Sequence, residues 1–338
     1  MKKLFIYFLI FSVSLAAHDD IQRVLDEVSK AKPTPKENSV SRVEYDQKIQ
    51  KIAEGLAQTI HHFENTQDFI RDATGSIYPQ FTIRPLNDDL FHGLMGSEVY
   101  LVSSPQGAPV GILKVYQHDF RQFAEEVWAI VHLKKIHCST LRPPRLYGIG
   151  STTRNGHQVL MTFQEYATGE SLDELMRNYL RTKEGFGKLC KAYFLMGVAL
   201  AELHQSNRGP NAPLHPIFED SAKYFYSAGK KILKANPEYA VEIKTFKRAF
   251  KTRFSKIREK PQRFCYTHFD VHGGNYKVNL PDLQVWILDL EPAAYSIASH
   301  GEPIGVAALD YVQAIEYLKS YKIWGLSRDD YKDIRNAF

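Results

Sequence analysis

The side chains best suited to chemistry lie in a polar cluster within an otherwise apolar stretch, residues 265–278. This cluster contains His268, Asp270 and Asn275, and a further carboxylate, Asp289, ends the apolar run that follows. Turn residues between two strand-like segments predict a hairpin, which would bring Asp289 back beside Asn275. Carboxylate and amide oxygens suit a hard cation such as Mg²⁺. Asp270 would then be free to meet a substrate hydroxyl.

Two other interpretations of this cluster stay open. His268, Asp270 and His272 alternate along the chain, and such a set also occurs in a polar turn whose side chains satisfy one another. The same alternation suits a zinc or iron site in a hydrolase. Against a transition-metal site, the sequence offers no second pair of histidines with ligand spacing.

The pattern His-x-Asp-x-x-x-x-Asn, followed by a strand ending Leu-Asp-Leu-Glu, resembles the aminoglycoside phosphotransferase and choline kinase family, whose members are related to protein kinases. The commoner wording in that family is His-Gly-Asp-Leu-His-Pro-Gly-Asn and Ile-Asp-Trp-Glu. Phe269, Val271 and Gly273 stand where Gly, Leu and Pro are usual. Every polar position is retained, so these changes weaken the resemblance little.

The resemblance implies a role for each polar residue of this region. Asp270 would be the catalytic base that engages the acceptor hydroxyl. Asn275 and Asp289 would hold Mg²⁺, and His268 would support the geometry of the catalytic loop, residues 268–275. ATP would be the phosphoryl donor.

The resemblance also makes demands on the N-terminal half of the chain. A strand lysine should reach the phosphates of ATP, and a helix glutamate should hold that lysine. Lys114 lies in an apolar run that predicts the third strand of a small lobe, and the helical pattern over 119–136 carries Glu125 and Glu126. The distance to Leu133 favours Glu126, and Glu125 stays open as the alternative.

Two further sets of cofactor contacts are implied. A phosphate-covering loop is expected just before the second strand, because glycines let backbone N–H groups approach phosphate closely. The residues of that loop are Gly93, Gly96 and Ser97. The connection between the lobes would offer backbone groups to an adenine edge, and its residues are Gln164, Glu165 and Tyr166. A plain hairpin turn would also explain the glycines.

The order of the predicted elements indicates an α+β fold with a small β-rich N-lobe and a larger, mostly helical C-lobe, and the resemblance implies that this fold is of the protein-kinase-like, two-lobed class. We divide the chain into a signal peptide (1–17), an N-terminal helical extension and linker (18–75), the N-lobe (76–163) and the C-lobe (164–338).

Composition excludes several classes of protein. The chain has 338 residues, of which 44% are hydrophobic and 24% charged, and this excludes disordered, collagen-like and disulfide-scaffold proteins. The net charge of +5 is too small to indicate a nucleic-acid partner. The three cysteines are odd in number and widely spaced, which favours buried structural thiols.

Residues 1–17 have a basic start and a short apolar run that ends in small residues. This layout predicts a signal peptide, and hence a secreted or periplasmic protein. The apolar run is shorter than the roughly 18 residues of a membrane span, so no spanning segment is expected after processing. If the signal interpretation is wrong, the protein would be cytoplasmic.

A basic helix is predicted over residues 244–260, with Phe246, Phe250 and Phe254 four residues apart on one face. The ordinary explanation is that the aromatic face packs and the basic face is solvated. The alternative is a surface for an anionic partner such as acidic lipid head groups or polyphosphate.

The sequence therefore predicts an ATP- and Mg²⁺-dependent kinase that acts on a hydroxyl of a small molecule. A small acceptor is favoured because the sequence has no Asp-Phe-Gly, Ala-Pro-Glu or activation-segment stretch. Two alternatives are a kinase-like module that binds a nucleotide or partner without turnover, and an exported kinase that acts on a protein or lipid.

Overall fold

The computed structural model describes residues 42–75, 80–86, 97–117, 120–206, 208–212, 262–297 and 305–338, together with 241, 244, 245 and 248. The predicted signal peptide, Gly93, Gly96 and nearly all of the predicted basic helix over 244–260 lie outside the described residues.

The N-terminal part is rich in β-strands. Its elements are α1 (Arg42–Thr59), α2 (Thr66–Thr74), β1 (Thr82–Pro85), β2 (Ser97–Ser103), β3 (Pro109–Tyr116), α3 (Phe120–Leu133), β4 (Leu141–Arg142), β5 (Leu146–Arg154) and β6 (His157–Glu165). The strands β1, β2, β3, β6 and β5, in that order, form an antiparallel first sheet.

The C-terminal part is mostly helical. Its elements are β7 (Glu170–Ser171), α4 (Leu172–Thr182), α5 (Phe186–Ser206), β8 (Arg208–Ala212), β9 (Gln262–Cys265), β10 (Tyr276–Asn279), β11 (Gln284–Ile287), α6 (Glu291–Ala294), α7 (Ala307–Ser320) and α8 (Arg328–Ala337), with 3₁₀ turns at Gly273–Asn275 and Tyr321–Trp324. The predicted α+β class, β-rich first and helical second, is confirmed.

Strand β3 carries alternate side chains to opposite faces of the first sheet, as the two-residue period of a strand requires. Lys114 and Tyr116 point towards α3, where both contact Glu126. Leu113 and Val115 join a separate apolar core on the other face. A single strand therefore supplies a polar group to the site and apolar groups to the core.

The predicted hairpin before Asp289 is present. β10 pairs antiparallel with β11, with Tyr276 opposite Ile287. β7 and β4 flank the hairpin in a second sheet. The apolar residues of α5 pack into the core that also contains the buried residues of this hairpin. Because β11 ends at Ile287, Asp289 emerges beside the start of β10.

The two helices of the N-terminal extension cover different surfaces. α1 packs its apolar face into the same core as α3. α2 lies over β5 on the outer face of the first sheet, and its N-terminus is capped by Asn65, whose side chain accepts from the Asp68 N–H. The extension is therefore part of the packed structure from residue 42 onward.

Two further expectations concern the cysteines and a membrane-spanning segment. The three cysteines are unpaired; Cys265 is buried, whereas Cys138 and Cys190 are half-buried. Among the residues described, no helix combines the length and apolar character needed to cross a membrane.

The contact between α2 and β5 predicts the effect of a small substitution. A Cβ atom at Gly150 would lie 2.8 Å from a ring carbon of Phe69 and 2.9 Å from one of Phe63. We expect Gly150→Ala to lower the free energy of unfolding by about 1–3 kcal/mol, measured by urea denaturation, because the rings must shift.

The matched control is Gly187→Ala in α5, where nothing lies within 4 Å of the added carbon. A helix favours Ala over Gly, so this variant should be neutral or more stable by up to about 1 kcal/mol. Equal effects of the two variants would contradict the packing described here.

Candidate active site

A buried lysine and glutamate form the N-terminal half of the site. The Lys114 ammonium lies 2.8 Å from Glu126 Oε2, and the two side chains are only 8% and 1% exposed. Glu126 is fixed by two more donors, the Tyr116 hydroxyl at 2.5 Å and the Gln164 amide at 2.6 Å. Burial alone would lower the pKa of Lys114, but the charges of Glu126, Glu291 and Asp289 raise it well above its usual value. Lys114 is thus a fixed cation.

The two glutamates that the sequence left as alternatives have different partners. Glu126 accepts from Lys114, whereas Glu125 accepts from Arg121 Nε at 3.0 Å. One helical step separates the two positions, which turns their side chains about 100° apart around α3. Glu126 therefore faces the first sheet and Glu125 does not.

Lys114 also reaches the C-terminal part of the chain. Its ammonium lies 3.0 Å from Asp289 Oδ1 and 3.9 Å from Glu291 Oε2. Oxygen atoms of Glu126, Asp289 and Glu291 lie within 4.8 Å of one another, so one ammonium group is shared by three carboxylates. This contact joins the first sheet to the segment after β11.

The pKa values of the two carboxyls after β11 are shifted in opposite directions. Burial raises the pKa of Asp289, but the charge of Lys114 outweighs it and holds this pKa well below its usual range. Burial raises the pKa of Glu291 well above its usual range, and the charges of Glu126 and Asp289 raise it further. Asp289 is therefore ionised, as a metal ligand must be, and its side chain is 46% exposed.

The catalytic loop brings Asp270 and Asn275 into contact. Asn275 Nδ2 donates to the Asp270 carbonyl at 3.0 Å and to Asp270 Oδ2 at 3.1 Å. The Leu288 N–H donates to the Asn275 carbonyl at 2.8 Å, which places the residue before Asp289 against the loop. The structure thus assembles Asp270, Asn275 and Asp289 at one end of the β10–β11 hairpin.

His268 lies beneath this loop. It is fully buried, and its ring nitrogens lie 2.9 Å from the Asp270 carbonyl and 2.8 Å from the Leu288 carbonyl. The ring therefore bridges the two segments that carry the acidic side chains. This placement is that of a residue that supports the geometry of the loop.

Asp270 has the surroundings of an accessible ionised carboxylate. Its side chain is 47% exposed, and His272 Nε2 lies 3.5 Å from Oδ2. The His272 Nδ1 atom accepts from the Gly274 N–H at 3.1 Å, which leaves the ring proton on the nitrogen that faces Asp270. Burial raises the pKa of Asp270, but the hydrogen bond from His272 outweighs it and lowers the pKa.

The loop is held from below by Asp310, a residue of α7 that is not among the site residues predicted from the sequence. Asp310 is fully buried and accepts the N–H groups of His268 at 2.9 Å and Phe269 at 3.0 Å. The same carboxylate lies 2.9 Å from His204 Nε2 in α5. A lone acid in an apolar helical run is the signal that could have pointed to it.

The backbone of Phe269 is in the left-handed region, with φ at +64°. Such a conformation costs a bulky residue about 1–3 kcal/mol and is the reason that glycine suits this position. Gln313, also in α7, donates to the Phe269 carbonyl at 2.6 Å and accepts the Val271 N–H at 3.2 Å. These bonds and those of Asp310 hold the strained turn.

A second supporting group, Asp173, is also not among the site residues predicted from the sequence. Asp173, in the first turn of α4, accepts from the hydroxyls of Tyr317 and Tyr321. A Cβ atom at Gly273 would lie 2.2 Å from Asp173 Oδ1, so only glycine fits there. The departure from Pro to Gly at this position therefore matches the packing of this chain.

The structure describes four of the six residues that were predicted in the phosphate-covering loop and the connection between the lobes. Ser97 begins β2, opposite Tyr116. The Gln164 side chain turns to Glu126, and the Glu165 N–H donates to the Arg145 carbonyl at 2.8 Å. That donor is not available to an adenine edge. The ring of Tyr166 lies 5.2 Å from the Lys277 ammonium.

Comparisons with known proteins give structural similarity alone. No protein-family model matches the chain, and no curated protein matches it. Similar solved structures include a mutant of the Mycobacterium tuberculosis PknI kinase domain (14% identity, TM-score 0.35, covering 72% of this chain and 74% of that one). They also include WaaP in complex with acyl carrier protein (12% identity, TM-score 0.38, covering 76% and 78%). These TM-scores support no assignment of residue roles, which depend on the site's own geometry.

The support by Asp310 generates a prediction. Asp310→Ala leaves two buried N–H groups and His204 without their acceptor, so we expect the free energy of unfolding to fall by about 3–5 kcal/mol, measured by chemical denaturation. Asp310→Asn keeps one acceptor oxygen and should lose less. A loss below about 1 kcal/mol for the Ala variant would show that Asp310 does not hold the loop.

Proposed function

We propose that this chain is an ATP- and Mg²⁺-dependent phosphotransferase of the aminoglycoside phosphotransferase and choline kinase type, which transfers the γ-phosphoryl group to a hydroxyl of a small molecule. The observation that carries the proposal is the contact of Lys114 with both Glu126 and Asp289, next to a loop in which Asp270 and Asn275 touch. Phosphoryl transfer needs this set: a fixed cation, oxygen ligands for a metal, and a carboxylate for the acceptor.

Lys114 would bind phosphate oxygens of ATP. A cation that Glu126 holds in place is positioned before the nucleotide arrives, so little ordering is needed on binding. The phosphates and the metal would bind where Lys114 contacts Asp289. Lys114 would then bind the phosphates and keep Glu126 as its partner.

The residues present fit a magnesium ion. Asp289 is ionised and half-exposed, and Asn275 uses its Nδ2 atom to hold Asp270, which leaves its Oδ1 atom for another partner. Both supply the oxygen atoms that Mg²⁺ prefers. Bound there, the ion would neutralise charge on the phosphates.

Asp270 would orient the acceptor hydroxyl and take its proton. The hydroxyl oxygen forms a bond to the γ-phosphorus, the bond from that phosphorus to the β–γ bridging oxygen breaks, and ADP leaves with that oxygen. The lowered pKa of Asp270 keeps it ionised at neutral pH, so it is ready to accept. Asn275 fixes its position through the contact at 3.1 Å.

The short connection after the metal ligand favours a small acceptor. Only Leu290 separates Asp289 from α6, which begins at Glu291. A protein kinase carries an activation segment between its metal-binding Asp and the next helices, and that segment contains its phosphorylation site. Among the residues that the structure describes, α6 follows Asp289 at once, and the sequence after Asp289 contains no Ala-Pro-Glu motif, which supports a small acceptor.

The first prediction tests the base. We expect Asp270→Asn to lower kcat by about 10²–10⁴-fold, because general base catalysis is lost, while Mg-ATP still stabilises the protein against heat. The measurement is an acceptor screen with Mg-ATP that follows ADP release. Asp282→Asn, in the exposed β10–β11 turn, is the matched control and should be unaffected.

Undiminished turnover in the Asp270→Asn variant would refute the role of Asp270. Stabilisation by nucleotide in the absence of ADP release with any acceptor would instead favour a kinase-like module that binds without turnover.

The second prediction concerns the metal. Asp289→Asn should weaken Mg-ATP binding by at least about tenfold, since a charged ligand is lost, while binding of ATP in EDTA should change little. Isothermal titration calorimetry with and without Mg²⁺ measures both. Equal losses in the two conditions would mean that Asp289 does not hold the ion.

A further inference from the structure

The helix α1 covers the side of α3 that faces away from Lys114. Its apolar stripe is almost fully buried, and it consists of Tyr45, Ile49, Ile52, Ala53 and Leu56. These residues share one core with Phe123, Ala124 and Val127 of α3. Glu126 extends from α3 towards the first sheet, so α3 lies between α1 and Lys114.

A charged contact links α3 to α1. Arg121 Nη2 of α3 lies 2.6 Å from Asp46 Oδ1 of α1, and Arg121 Nε also donates to Glu125 at 3.0 Å. The Arg121 and Asp46 side chains are 37% and 36% exposed, so the pair adds little to overall stability. A rotation of α3 that withdraws Glu126 from Lys114 would also separate Arg121 from Asp46.

Tyr45 links α1 to the catalytic loop as well. Its ring meets the Tyr295 ring edge-on, at 4.9 Å between centroids and 82° between planes. Tyr295 directly follows α6 and meets the Phe269 ring at 6.0 Å. Phe269 precedes Asp270. Tyr45 of α1 is therefore joined through Tyr295 to Phe269, the residue before Asp270.

We propose that α1 is a built-in positioning element that keeps Glu126 on Lys114, and that Tyr45 is its principal positioning residue. In kinase-like sites the lysine–glutamate pair is a point of control, because the glutamate helix can move away. In this chain α1 packs against that helix, α3, and would restrict such a movement. The inference rests on the proposed function only where turnover is its readout.

Turnover provides the first test, in the full-length protein. Tyr45→Leu keeps apolar volume but removes the ring contact with Tyr295, and should lower kcat by at least about tenfold while the KM of the acceptor changes by less than about twofold. Tyr45→Phe keeps the ring and should behave as the wild type. Glu54→Gln, on the exposed face of α1, is the control for changes in the helix that do not touch α3.

Amine labelling provides a readout that does not need activity. In the wild type Lys114 is buried in its ion pairs, so acetic anhydride should label it far less than the exposed Lys188, as measured by mass spectrometry. Tyr45→Leu should raise the labelling of Lys114 at least about fivefold relative to Lys188, because Glu126 leaves it more often.

A second variant guards against a loss of folding. Asp46→Asn removes the negative charge of the exposed pair with Arg121, and should raise Lys114 labelling and lower kcat by about threefold with a melting temperature close to the wild type. Asp46→Glu keeps the charge and should restore both. If Tyr45→Leu and Asp46→Asn leave Lys114 as protected as in the wild type, the proposal is overturned.

The failure of the proposed function would look different. A wild-type protein that releases no ADP with any acceptor would refute the phosphotransferase, whereas the labelling of Lys114 would still decide whether α1 positions Glu126.

Discussion

A buried ammonium group must be paired, and the pairing of Lys114 organises this molecule. Desolvation of a single charge is costly, so the chain surrounds Lys114 with carboxylates from two parts of the sequence. Glu126 satisfies it within the N-terminal part, and Asp289 satisfies it from the C-terminal part. The same contact that offsets the cost of burial also sets the position of the site between the two parts.

The site is assembled by a hierarchy of supports. Asp270 is held by Asn275, the loop that carries both is held by the buried Asp310, and Asp310 is itself anchored to His204 in α5. All three supporting side chains, those of Asn275, Asp310 and His204, are buried. Because the groups nearest the solvent make the fewest fixed contacts, Asp270 and Asp289 remain accessible to a ligand while their backbone is immobilised.

Local patterns explain what the sequence could predict. The β10–β11 hairpin, the third strand with Lys114, and the spacing of Asp270 and Asn275 are all encoded within short stretches, through the two-residue period and turn residues. The helix step that separates Glu125 from Glu126 is also local. The sequence therefore predicts the element order, the α+β class and the side chains that the structure brings together at the site.

Contacts between distant segments were beyond such patterns. Asp310 lies 42 residues from His268, and Tyr321 lies 148 residues from its partner Asp173, and these pairs depend on how helices pack.

Phe269 connects the catalytic loop to the N-terminal extension. A glycine would adopt its left-handed backbone at no steric cost, yet would offer no ring to Tyr295. The aromatic contact of Phe269 with Tyr295 offsets part of the strain of about 1–3 kcal/mol. Tyr295 in turn contacts Tyr45 of the N-terminal extension. In this chain the substitution at a loop position and the helix that precedes the first sheet belong to one packing arrangement.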